Sequence, residues 1–255
     1  MSVYILAVAG KGGTGKTTIC GMLIDWLCSH GRGPVLAVDA DANSNLNEVL
    51  GVEAPVSLGD IREEIAHAEA TGAVPSGMSK QDYMEFRFNA ALDEEDDFDM
   101  LVMGRTQGKG CYCYVNGVLK SQIEKYMNGY KYMVVDNEAG MEHISRGILP
   151  QIDILFLVSD CSRRGIQAVG RIKDMVGDLE LNPQIMKLIV NRAPGGVADS
   201  GVLEEIEKQG LDLLGVLPQD DAVYRYDCDG RPSASVPDDN PVKRALDPLF
   251  RECIQ

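Results

Sequence analysis

VYILAVAGKGGTGKTT, residues 3–18, sets an apolar run directly before a glycine-rich turn and a segment of helical pattern. The turn fits G-x-x-x-x-G-K-[ST] at Gly10, Gly15, Lys16 and Thr17, with Lys11, Gly12, Gly13 and Thr14 inside it and Thr18 just after. Strand before and helix after are the context in which this pattern binds phosphate. The glycines let successive backbone N–H groups wrap an anion, and the helix N-terminus adds partial positive charge. Lys16 is placed to reach the β- and γ-phosphates of a nucleotide, and the Thr17 hydroxyl to ligate Mg²⁺.

The rest of the chain repeats the rhythm. Apolar runs at 34–40, 99–104, 130–136, 153–159, 184–191 and 211–217 read as strands. Segments of helical length lie between most of them: 16–30, with Ile19, Leu23, Trp26 and Leu27 on one stripe, then 115–127, 163–179 and 199–209. Val/Ile/Leu runs without alternation belong to strands covered on both faces. Strands separated by helices form right-handed βαβ units and a parallel sheet. The expectation is an α/β P-loop NTPase: one domain over 1–255, with a mostly parallel central sheet of seven or so strands flanked by helices. Its 255 residues suit one large α/β domain. Residues 57–98 break the rhythm and predict an acidic helical insertion, whose closing run DEEDDFD (93–99) reads as a solvated face.

Net charge is −15. Such a surface repels nucleic acid and anionic membranes, which leaves soluble proteins and locally held small ligands as partners. Residues 1–9 lack the basic start of a signal peptide, and no apolar run approaches the ~18 residues of a membrane span, so a cytoplasmic protein is expected. In a reducing compartment most of the seven cysteines are small buried hydrophobes. Cys111 and Cys113, in RTQGKGCYCYVNGV (105–118), are the one close pair with loop flanks. Their thiolates would suit soft or borderline metals such as Ni²⁺, Zn²⁺ or Cu⁺, but two ligands leave such an ion half-coordinated. Buried unliganded thiols and a redox pair remain open, and a disulfide, which would close a small strained ring, ranks last.

Three aspartates stand at strand ends. VDADANSN (38–45) puts Asp39 and Asp41 at the carboxyl edge of a parallel sheet, where ligands bind. They can hold Mg²⁺-bound water and orient an attacking water, or serve as a helix cap and a turn residue. YKYMVVD (130–136) closes in Asp136, which reads as a Mg²⁺-side carboxylate or a strand-end cap. Gly140, four residues on, could bring its N–H to the γ-phosphate and make 136–147 a switch.

Lys11 is not required by an ordinary phosphate loop. With it the loop resembles the deviant form found in the dimeric ATPases that include the nitrogenase iron protein, septum-site and partition ATPases, and metallocentre assembly ATPases. The resemblance implies a homodimer formed on ATP binding, in which Lys11 reaches the partner's nucleotide somewhat as an arginine finger does. It implies that Asp39 lies on the Mg²⁺ side and that Asp41 orients the nucleophile. It also puts the side chain of Asn191 (LIVNRAP) and the backbone near Pro218 (GVLPQDD) against adenine. Together with AGMEHISRG (139–147), the Cys-Tyr-Cys segment looks like the CooC-type ATPases that mature nickel in carbon monoxide dehydrogenase, or the related accessory ATPase of acetyl-CoA synthase. That resemblance implies ATP, Mg²⁺ and Ni²⁺ (or Zn²⁺) as cofactors, a nickel-enzyme client, and a metal site shared across the dimer by Cys111 and Cys113 of both protomers. A thiol redox or sensor ATPase that carries no metal is the reading from another class.

Overall fold

The computed structural model describes residues 3–41, 43–53, 55–75, 77–104, 120–121, 123–137 and 151–254. The eight strands among the described residues are β1 (Tyr4–Gly10), β2 (Val35–Ala40), β3 (Asp93–Glu94), β4 (Asp99–Val102), β5 (Tyr132–Asn137), β6 (Ile154–Asp160), β7 (Ile185–Ala193) and β8 (Leu213–Pro218). They form one sheet in the order β3-β4-β2-β5-β1-β6-β7-β8. Every pairing is parallel except β3 with β4. The seven longer strands are those expected from the apolar runs, with ends displaced by no more than two residues.

Helices α1 (Lys16–Ser29), α2 (Leu46–Leu50), α3 (Leu58–Thr71), α4 (Lys80–Asn89), α5 (Arg163–Asp178), α6 (Ser200–Lys208), α7 (Asp221–Cys228) and α8 (Pro241–Cys253) flank the sheet. Residues 57–98 thus carry two helices, each started by a serine whose hydroxyl accepts a third-residue N–H: Ser57 from Asp60 and Ser79 from Asp82, both at 3.1 Å. The acid run faces solvent, with Glu94–Asp97 exposed and Asp93 half-buried, and its first two residues are structured. Asp93 and Glu94 pair antiparallel with Met100 and Asp99 as a short edge strand.

Alternation along the strands divides the core. Ile5, Ala7, Leu36 and Val38 face one layer with Leu58, Ile61, Phe88 and Ile166, from α3, α4 and α5. Leu6, Val8, Val35 and Ala37 face the other, with Leu23 and Leu27 of α1 and Leu246 and Phe250 of α8. Full burial of each of the Val, Leu, Ile and Phe side chains among them stabilises by roughly 1.5–3 kcal/mol. The single stripe expected on α1 is wider in the structure. Cys20, Met22 and Ile24 are buried as well, because Cys20 lies over the ends of β2 and β5 while α2, the turn at 233–235 and α8 cover α1 from other sides. Trp26 Nε1 donates to Asp247 at 2.9 Å and Lys243 pairs with Asp25 at 2.7 Å across that contact. Among the described residues no helix is long and apolar enough to cross a membrane.

Candidate nucleotide site

β1, β2 and β5 end together at the carboxyl edge of the sheet, and the loop from Gly10 to Gly15 turns there into α1. At Gly10 a Cβ would lie 2.2 Å from the carbonyl oxygen of Val158, so only glycine lets β1 end this close to β6. Gly13 and Gly15 take φ of 80° and 89°, the left-handed region that glycine enters without steric cost. Among the described residues no side chain caps the N-terminus of α1. Its first-turn N–H groups and dipole are left for an anion. Thr14 Oγ1 donates to the Lys11 carbonyl at 2.8 Å and tightens the turn. Lys16 is buried at 7% exposure, while Lys11 at the loop's start is exposed.

Behind Lys16 stand two carboxylates in register, Asp39 on β2 opposite Asp136 on β5. Asp39 is fully buried, and its oxygens accept the backbone N–H groups of Asp41 and Leu46, each at 3.0 Å. Burial raises its pKa to about 6 against the pull of those hydrogen bonds. Asp39 therefore fixes the loop that carries Asp41 as well as facing the site. Asp41 is partly exposed and accepts Asn43 N and Nδ2 at 2.9 and 3.0 Å. Asp136 is pushed up to about 7, mainly by burial and further by Asp39 and Asp41, against the lowering effect of the Thr17 hydroxyl and Lys16. Its Oδ1 is buried and has no hydrogen-bond partner among the described residues. A buried oxygen left open beside a threonine hydroxyl suits a hard cation such as Mg²⁺, which takes oxygen donors and keeps waters.

The raised values fix a sign. A cation selects the charged carboxylates, so Mg²⁺·ADP should bind with proton release below about pH 7 and more weakly at pH 6 than at pH 8. Calorimetric titration in buffers of different ionisation heat reads both; affinity independent of pH with no proton release would show that neither group faces the ion.

A cavity of about 360 Å³ continues from the loop between β7, β8 and α7, lined by Thr18, Asn191, Arg192, Pro218, Asp220 and Tyr224 among others. Asn191 and Pro218 thus lie in one cavity. The Asn191 amide is also committed to the loop, its Nδ2 donating to Thr14 O at 2.9 Å. Arg192, which the sequence reading passed over, donates to Gly13 O at 3.0 Å. Cys20 is buried below Asp136 and Asp39, and burial, then those two charges, raise its thiol pKa, which suits packing and not reaction. Cys111, Cys113 and Gly140 lie outside the described residues, and among the described ones no three His, Cys, Asp or Glu form a metal cluster.

A phosphate loop at the switch edge of a parallel sheet, with paired strand-end aspartates, defines a P-loop nucleotide-binding protein. The chain belongs to the CobQ/CobB/MinD/ParA nucleotide-binding family, whose domain model matches residues 5–233, and it is a P-loop ATPase of that family binding ATP with Mg²⁺. It is 37% identical over 251 residues to an uncharacterized ATP-binding protein of Methanocaldococcus jannaschii, covering 98% of both chains. It is 30% identical over 242 residues to the carbon monoxide dehydrogenase accessory protein CooC of Rhodospirillum rubrum, covering 87% of this chain and 86% of that one. The fold matches the septum site-determining protein MinD of Pyrococcus horikoshii, complexed with Mg-ADP, at TM-score 0.69 and 21% identity over 100% of this chain and 97% of that one.

Proposed function

We propose that the chain is an ATP-switched maturation factor for a nickel enzyme of the carbon monoxide dehydrogenase type, working as a homodimer closed by ATP in the cytoplasm. The observation that carries this reading is the 30% identity to CooC across 87% of the chain. The Cys111-Tyr-Cys113 segment supplies chemistry that fits it.

In this reading Lys16 and the open N-terminus of α1 hold the β- and γ-phosphates. Thr17 and Asp136, with Asp39 behind them, hold Mg²⁺. Magnesium supplies charge neutralisation along the phosphates. Asp41 orients the attacking water, and Gly140 senses the γ-phosphate through its N–H. Asn191 and Pro218 receive the base. Lys11, exposed at the loop start, crosses to the partner's nucleotide. The two-fold axis doubles Cys111 and Cys113 into four thiolates, which hold Ni²⁺ or Zn²⁺ as cargo. Nucleotide and metal then bias the same dimer equilibrium, so each must tighten the other by the same factor.

Anaerobic titration tests it. The wild type should take up about one Ni²⁺ or Zn²⁺ per two chains, as a four-thiolate site requires, and the Cys111→Ser/Cys113→Ser variant none. A wild type that binds neither ion removes the cargo and leaves the thiol-switch ATPase. Co-purification with carbon monoxide dehydrogenase or with acetyl-CoA synthase identifies the client.

A further inference from the structure

Two consecutive peptides of the phosphate loop are held from outside by two consecutive residues of β7. Arg192 donates to the carbonyl of Gly13 at 3.0 Å, and Asn191 Nδ2 to the carbonyl of Thr14 at 2.9 Å. In a planar trans peptide the carbonyl and the following N–H point to opposite sides. Anchoring these two oxygens toward β7 therefore turns the N–H groups of Thr14 and Gly15 away from it; the Thr14 N–H meets the Lys11 carbonyl only at 3.4 Å, beyond the usual N–H···O range, so a phosphate oxygen can displace that contact.

The clamp is built at a cost. Arg192 is a non-glycine residue at φ 56°, the left-handed conformation that strains a residue with a Cβ, within an irregularity in the pairing of β7 with β8. Asn191 Oδ1 accepts the Arg192 N–H at 2.9 Å and holds it in that conformation. One buried amide thus fixes its neighbour with one end and the phosphate loop with the other. The approach is close: a Cβ on Gly15 would lie 2.4 Å from Asn191 Nδ2. Both side chains also line the base cavity, and Arg192 borders the space beside Lys16, Thr17 and Thr18 as well.

We propose that Asn191 and Arg192 are positioning residues that act through the carbonyls of Gly13 and Thr14 to hold the loop's N–H groups ready for the β-phosphate, linking the base cavity to phosphate binding. The proposal needs only the family's nucleotide binding and is independent of the metal cargo. A residue that merely touches the base would weaken every adenine nucleotide equally; a residue that orients the loop weakens those bearing a β-phosphate more. The measurement is displacement of a fluorescent ADP by ADP and by AMP, read as the ratio of the AMP to the ADP dissociation constant.

Arg192→Gly and Asn191→Ala should each lower that ratio about tenfold, the size of one lost oriented hydrogen bond to a charged group. Arg192→Lys, which keeps a donor for Gly13, should restore most of it. The melting temperature of Arg192→Gly should hold or rise, because glycine accepts φ 56° without strain. Asn191→Asp, which keeps the acceptor for Arg192 and loses the donor to Thr14, replaces Asn191→Ala if that variant does not fold. An unchanged ratio overturns the proposal. So does a ratio that falls only in the Arg192 variants, which would mean direct phosphate contact. A wild type that does not bind the fluorescent ADP would overturn nucleotide binding itself.

Discussion

Asp136→Asn should lower kcat for ATP hydrolysis by about 10²–10³-fold while raising the melting temperature of the nucleotide-free protein. The two effects share one cause. Asp136 is 1% exposed, carries an oxygen with no protein partner among the described residues, and has its pKa pushed up to about 7. A carboxylate kept charged in such a place is useful only to a cation. Removing the charge weakens the ion that stabilises charge on the transferring phosphoryl group, an effect of the size given. With no ion present, the same charge is a burden on the fold. A carboxyl whose folded pKa lies above its unfolded value binds more protons when folded, so its contribution to stability is fully present below about pH 4 and is lost as pH rises to about 7. Asparagine is exempt from that loss. Its stability advantage should therefore grow from pH 4 to pH 7 and level off at roughly 1–3 kcal/mol, which raises the melting temperature by several degrees. Calorimetric scans of both proteins at pH 5 and pH 8 read the sign. A variant less stable than wild type at pH 8 would mean that Asp136 is a structural carboxylate whose lost contacts outweigh its charge.

Most of the sheet was legible because its signal is local. Runs such as YILAVAG and ILFLVSD are buried on both faces and need no long-range information to be read as strands. The phosphate loop was legible for the same reason, since Gly10, Gly15, Lys16 and Thr17 carry their chemistry within eight residues. β3 was not, because an edge strand of two acidic residues has no apolar alternation to show and is defined only by its partner β4. Asp39 was read as a residue facing Mg²⁺. That its oxygens also take the N–H groups of Asp41 and Leu46 depends on how the loop after β2 folds back. Arg192 was passed over since its partner lies 179 residues away and its one local peculiarity, a positive φ, has no residue-type signature in arginine. What a sequence hides here is the second layer, the groups that hold the phosphate loop and not the groups that touch phosphate.

Lys16→Met should reduce ADP affinity by about 10²-fold, the loss expected for a charged donor with about two hydrogen bonds to phosphate. Lys16 is 7% exposed at the first position of α1, and its charge holds down the pKa of Asp136. Losing that cation leaves Asp136 and Asp39 facing each other uncompensated, so Asp136 takes up a proton near neutral pH and the variant folds with one cation and one anion fewer. This makes the cost of Lys16→Met depend on Asp136. The double variant Lys16→Met/Asp136→Asn has no buried anion at position 136 to strand, so its loss of stability should be smaller than the sum of the single changes by about 1 kcal/mol, as for residues within one charge network. Nucleotide affinity should not recover with it, because neither remaining side chain can replace an ammonium at the β-phosphate. Urea denaturation of the four proteins gives the coupling, and ADP titration gives the affinity. Additive stabilities would separate Lys16 from the carboxylates, and an ADP affinity within about threefold of wild type would take it out of the phosphate site.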